Sequence, residues 1–326
     1  MTSVIFVSLL LVAFEGAILL MLPHISPRRF LFAITVPQEF PSSEPGRNAL
    51  RRYHWAVAAA IVLGAAAVLA FESRPQWTVC AVAIPCIGSL AAFLRERSHV
   101  RRIAGPVPDV READLSGGDD RLPGWFALAL PPFALPAAAA LYLRSHWEDI
   151  PARFPIHWGI DGPDRWAEKS THGVYGTLLS GAAMMLAFLL LTLVSFYGAR
   201  RAPQREVMVK LMVAAIYMLA CVFTAIGLQP LLAFPPLWVL VAPAVFLLVA
   251  IALIYRVVRD PQRPAEVTPD ECWYLGGIYY NPQDPTVFVQ KRFGFGYTFN
   301  FGSRWSWILT AVLVATPLAI TVVMPR

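Results

Sequence analysis

Charge is scarce in this sequence. Only 15% of its 326 residues are Asp, Glu, Lys or Arg, where a soluble globular domain carries roughly 25%. Such a deficit argues against a chain that meets water on every side. Cysteine is scarce as well, with Cys80, Cys86, Cys221 and Cys272 the whole complement. No pair has the spacing of a disulfide framework or a zinc site, and the first three fall in apolar stretches where a thiol packs as a small hydrophobe. Catalytic signatures are missing: no Gly-x-Ser-x-Gly, no His-Glu-x-x-His, no P-loop and no dinucleotide fingerprint. No internal repeat occurs, nor the paired interrupted helices that point to a transporter core. The expectation is a non-enzymatic protein with no cofactor and no metal.

Apolar residues fill the gap. They make up 57% of the chain, and the mean hydropathy is +0.56. They are concentrated in eight runs, residues 3–22, 55–71, 77–94, 125–143, 173–197, 207–228, 236–255 and 305–324. A helix needs about 20 such residues to cross a hydrocarbon core of about 30 Å. Several runs begin or end on Trp or Tyr, whose amphipathic rings favour the headgroup level. The first run has no positive leader and no small-x-small cleavage site, so it reads as a retained helix rather than a secretory signal. The fold class expected is an all-α polytopic membrane protein with about eight transmembrane helices and a small cytoplasmic β-meander between the seventh and eighth.

The basic residues assign the sides. Of 27 Lys and Arg, 21 fall in residues 23–54, 95–123, 198–210 and 256–304, and six fall in the remaining loops and tails. Cytoplasmic loops are the Lys/Arg-rich ones. This places both termini outside the cytoplasm, in a cell (inner or plasma) membrane. The formal net charge of +6 then belongs to topology and to anionic membrane lipid, with no nucleic acid among the partners. The organisation expected is transmembrane helix 1 at 1–22, a cytoplasmic loop with an extended segment at 23–54, helices 2–4 within 55–143, an extracytoplasmic loop at 144–172, helices 5–7 within 173–255, the cytoplasmic β-meander domain at 256–304, and helix 8 at 305–326.

The outer loop is compact and polar. His157, Asp161 and Asp164 stand close enough in sequence to converge on a cation, or to form a charge cluster with Arg165 and Lys169, while Trp158 and Trp166 suit an interface anchor. One His with two Asp is a poor zinc set. The alternative is an ordinary turn at Gly162-Pro163-Asp164 with the tryptophans at the headgroups.

The run Phe154-Pro155-Ile156-His157-Trp158, then Gly162-Pro163-Asp164-Arg165-Trp166 and Lys169, resembles the signature of a bacterial membrane domain shared with the SdpI-type toxin-immunity proteins. Gly159 stands where that family usually has Asn, and the interval from the signature's glycine to its aspartate is one residue shorter here. A second stretch is similar to a short uncharacterised domain that often accompanies the first. Its carriers are Trp273, Tyr280-Asn281-Pro282, Asp284-Pro285 and Asn300-Phe301-Gly302. The segment Phe32–Pro37 resembles a Phe-Gly-Val-x-Val-Pro element of the same proteins, with Ala33 in the glycine position. These resemblances imply an immunity or signalling protein that meets an extracytoplasmic peptide or lipid headgroup and informs a cytoplasmic regulator. The candidate ligand-binding set is His157, Trp158, Asp161, Gly162, Asp164 and Lys169. The candidate inner motif is Trp273, Tyr280, Asn281, Asp284 and Asn300.

One acid lies inside an apolar run. Glu15 interrupts the first helix, and a charged group at mid-bilayer costs at least about 2.5 kcal/mol, so it faces protein or water. Together with Pro131-Pro132, Pro136 and Pro243, which break hydrogen-bond ladders, it supports a transporter or lipid flippase as the alternative function.

Overall fold

The computed structural model describes residues 3–71, 74–105, 121–159, 162–198, 205–232, 236–259 and 268–323. In chain order its elements are α1 (Ser3–Ile25), β1 (Phe30–Leu31), β2 (Ile34–Thr35), α2 (Glu44–Ala70), α3 (Pro75–Ile103), α4 (Ala134–Ser145), β3 (Arg153–Gly159), β4 (Gly162–Glu168), α5 (Thr171–Gly198), α6 (Arg205–Leu228), α7 (Val241–Arg259), β5 (Trp273–Tyr274), β6 (Ile278–Tyr279), β7 (Phe288–Gln290), β8 (Tyr297–Phe299) and α8 (Arg304–Val323). Each consecutive pair of strands forms its own antiparallel two-stranded sheet. Helix occupies all eight apolar runs. Six helices among the described residues are long and apolar enough to cross a membrane: Ile5–Ile25, Glu44–Ala70, Gly124–Ser145, Thr171–Gly198, Arg205–Leu228 and Trp238–Val258. The molecule is therefore a multi-pass membrane protein by length and composition of its helices.

The chain divides into two compact units, Met1–Leu115 with Val258–Ser303, and Ser116–Val257 with Arg304–Arg326. In the first unit α1, α2 and α3 pack on one another. Helix α2 starts at Glu44 rather than Trp55, because Ser43 accepts a hydrogen bond from Gly46 N and Pro45 sits in the first turn, a strong N-terminal signal. Helix α3 likewise runs past Leu94 to Ile103. The polar extensions of the two helices meet in a bidentate ion pair, Arg52 to Glu96 at 2.6–3.2 Å. Along the apolar length the contacts are small: a side chain at Gly88 would overlap Ala60, and one at Gly64 would press on Pro85. Close backbone approach of this kind is how helices associate where no water drives them together.

Two expectations are corrected in this unit. Residues 30–37 are not merely extended; Phe32 and Ala33 take φ of 48° and 60°, the double left-handed turn that lets a two-residue hairpin follow the strand twist. The segment 268–303 is not a continuous β-meander. Hairpins β5–β6 and β7–β8 are separate two-stranded sheets, with a single parallel bridge, Tyr279 to Asn300, between them among the described residues. The strands are two or three residues long, and the Asn281-Pro282-Gln283-Asp284-Pro285 turn contains two prolines with no N–H to give to a ladder.

In the second unit α5 and α6 are the main packed pair. A Cβ at Gly181 would strike Phe223, and one at Gly227 would strike Leu178, so large residues of each helix fill glycine gaps in the other. The fourth expected span opens in 3-10 turns at Gly124–Ala129 and Pro131–Phe133 before it becomes α-helical at Ala134. Adjacent prolines cannot sustain the α-helical bond pattern. Pro243 causes no such break, because it sits in the first turn of α7, where an N–H has no helical partner.

Candidate functional site

The loop between the fourth and fifth spans is a built hairpin. Its base is a small core: Ile150, Phe154 and Ala167 pack with Leu143 of α4 and Val174 and Leu178 of α5. Lys169 N donates to Ala152 O at 2.9 Å, and Ser170 caps α5 by accepting from Gly173 N at 2.9 Å. Above that base the second strand is solvent-facing, with Pro163, Asp164, Arg165 and Trp166 all exposed. The Arg153 guanidinium lies 5.6 Å over the Trp166 ring.

The register carries two irregularities. Pro155 pairs with Trp166, His157 with Arg165, and Trp158 with Pro163. Ile156 on one strand and Asp164 on the other are thus left without a Cα partner. Bulges of this kind twist a ribbon and re-aim its side chains, and they recur beside binding and active sites. They put the backbone of His157 opposite Arg165, next in sequence to the unpaired Asp164. Asp161 lies outside the described residues, as do the side chains of His157 and Trp158. Gly162, at φ 120°, needs glycine's freedom. Lys169 stands at the base, its Nζ 5.6 Å over the Trp147 ring and 3.4 Å from Glu148 O.

Beside the hairpin base a wide cavity of about 800 Å³ opens between α4 and α5. Ala137, Ala140, Leu141 and Arg144 form one stripe of α4, and Trp147, stacked on Tyr175 of α5 at 6.1 Å, closes its end. No sequence signal drew attention to it, since the stripe reads as an ordinary helix face until α5 supplies the opposite wall.

The inner motif behaves differently. Asn300 is fully buried and its amide is saturated. Oδ1 accepts from Asn281 N and Gly302 N at 3.0 Å each, and Nδ2 faces the carbonyls of Asn281, Asp284 and Thr286 at 2.9–3.1 Å. Asp284 accepts from Thr286 and from the Tyr279 hydroxyl, and burial raises the Tyr279 phenol well above its ordinary value. Trp273 is buried against Tyr279 and Val289 and donates to Thr268 at 2.9 Å. Tyr280 alone of the expected set is exposed, at 46%.

Arg292, outside the expected set, is the centre of this unit. Only 1% of it is exposed, and its guanidinium lies between the rings of Phe30 at 4.8 Å and Trp273 at 5.1 Å. It donates to Asp270 Oδ1, to Thr268 O and, at 3.5 Å, to Ala33 O. Burial lowers its pKa, with Asp270 opposing. Thr35 also donates to Asp270 at 2.7 Å. Nearby, the buried Arg97 of α3 donates to the carbonyls of Phe32 and Ala33 at 3.2 and 2.8 Å. Phe293 completes the joint against Phe93 at 4.6 Å. The module is thus bolted through hairpin β1–β2 to the ends of α1–α3.

Glu15 lies within α1, half-buried; its Oε1 is buried without a hydrogen-bond partner. Cys86 of α3 lies beside its carboxyl.

A multi-pass membrane protein with an aromatic module at 268–303 is the class these features define. A sequence profile of a family of unknown function (DUF5808) matches residues 282–307, which include Asp284, Arg292 and Asn300. Neither the curated proteins nor the solved structures contain a match to the chain.

Proposed function

We propose that the chain is a non-enzymatic envelope sensor or immunity protein, with eight transmembrane helices and both termini outside. The hairpin Arg153–Glu168 recognises a membrane-active peptide or a lipid headgroup, and the module at 268–303 holds or informs a cytoplasmic regulator. The resemblance to SdpI-type toxin-immunity proteins supports this reading, as does the positive-inside count. The observation that carries it is the hairpin's construction: a base fixed in the helix ends, and a bulged strand whose Pro163, Asp164, Arg165 and Trp166 are offered to solvent. A rigid base with an exposed polar and aromatic tip is an economical recognition surface, because ordering costs are met before binding. His157→Ala and Asp164→Asn are expected to fold and to reach the membrane normally, yet to abolish protection against the peptide. Full protection by both variants against every membrane-active peptide tested would reduce the hairpin to a structural turn.

Glu15 favours a second reading, a transporter or lipid flippase. A buried carboxylate oxygen without a partner inside a span is what a proton or cation relay requires. Glu15→Gln would stop flux in proteoliposomes; flux at the parent rate excludes the relay.

A further inference from the structure

We infer that the cavity between α4 and α5 is a binding site for one anionic phospholipid, whose phosphate is held by Arg144 and whose acyl chain lies along Ala137, Ala140 and Leu141. The inference deepens the sensing reading and takes from it only the side of the membrane on which the site lies.

The wall of the cavity is graded in one direction. Ala137, Ala140, Leu141 and Arg144 follow each other at helical spacing on α4, so the face passes from small and apolar to cationic within two turns. Ala137, Leu141 and Arg144 are all exposed. Arg144 sits in the last turn of α4, and no acidic side chain pairs with it among the described residues. Immediately past it come Trp147 stacked on Tyr175, and Lys169 over the Trp147 ring, the rings that favour the headgroup level. Thr171 adds a hydroxyl from the first residue of α5.

An amphiphile fits each part of that gradient. The alanines leave the depth that a hydrocarbon chain fills, and the cations stand where a headgroup phosphate would lie. Arg binds phosphate through a planar fork of donors, and Lys169 adds a second positive charge nearby. A zwitterionic lipid would bring its ammonium into the same cationic rim, and a peptide would need an acid to match Arg144. Charge complementarity therefore selects an anionic lipid over both.

The test uses the full chain purified in mild detergent, titrated with phosphatidylglycerol or phosphatidylcholine and read by native mass spectrometry. The parent is expected to retain phosphatidylglycerol at least about tenfold more strongly, since a charge-assisted hydrogen bond to phosphate is worth that factor or more. Arg144→Gln is expected to lose the preference, Arg144→Lys to keep most of it, and Leu141→Trp to lose both lipids by filling the floor. Arg144 is exposed, so thermal melts of the Gln and Lys variants should match the parent. Equal retention of the two lipids by the parent, or an unchanged preference in Arg144→Gln, would overturn the assignment. So would a membrane-active peptide that binds with the same Arg144 dependence while the lipid does not. The readout does not involve protection: a lipid preference in a chain that protects against nothing would sink the sensing reading alone.

Discussion

The hairpin at 153–168 and the module at 268–303 are both small β structures hung on apolar helices, and they spend their polar side chains in opposite ways. In the module, Asn300, Asp284, Asp270 and Arg292 are committed to the chain's own carbonyls, amides and hydroxyls. In the hairpin the core lies at the base, and Asp164, Arg165 and Trp166 of the upper strand are exposed. A polar residue that answers to buried backbone groups is a fastening, whatever its motif suggests. One presented to solvent on a fixed frame can be reached by a ligand. The contrast makes most of the motif at 273–300 a fastening, and it is what the recognition role proposed for the hairpin at 153–168 requires.

The largest effect that would sharpen this contrast is expected at Arg292. Arg292→Met leaves the buried Thr268 O and Ala33 O short of a donor, takes the ion-pair partner from the partly exposed Asp270 and removes the cation between two rings; each buried group left unsatisfied costs about 1–3 kcal/mol. It should appear as a lowered melting temperature in detergent and as faster tryptic cleavage within 268–303. Asn300→Ala follows, at about 2–3 kcal/mol, because several buried backbone groups lose their only side-chain partner at once. Full stability in either variant would erase the difference between the two regions.

Smaller changes probe the module's turns. Leu275 is 66% exposed yet held at φ 50°, a left-handed position that disfavours any side chain. Leu275→Gly should therefore stabilise by about 0.5–1 kcal/mol, the relief being offset in part by the unfolded chain's added freedom. Gly276→Ala goes the other way, since a Cβ there would sit 2.8 Å from the Phe93 ring at φ 76°. The smallest stability effect belongs to the hairpin: Asp164→Asn should change the melting free energy by no more than about 0.5 kcal/mol while protection is lost.

Most of the helical skeleton was legible because the bilayer imposes a length and an apolarity that a sequence cannot disguise. The ends of α2 and α3 were not, since residues 44–54 and 95–103 are polar and acquire helical order from Ser43, Pro45 and the Arg52–Glu96 pair rather than from periodicity. Asn281, Asp284 and Asn300 stood out by resemblance, but their role was invisible until the folded turn brought three carbonyls to one amide. Arg292 looked like one more cytoplasmic cation. A single position does not reveal whether a charge will face water or lie between Phe30, distant in sequence, and Trp273. Ala33 shows the same limit from the other side: a left-handed φ explains why the resembling element carries glycine there, and only the backbone shows it.

Sidedness is the claim on which the contrast rests, and cysteine accessibility tests it most directly. In a chain freed of Cys80, Cys86, Cys221 and Cys272, a reporter at Asp164→Cys is compared with one at Gln283→Cys, both exposed positions. The account predicts that a membrane-impermeant maleimide labels the first in intact cells and the second only after permeabilisation. Labelling of Gln283→Cys in intact cells, or protection of Asp164→Cys until the membrane is opened, would contradict it.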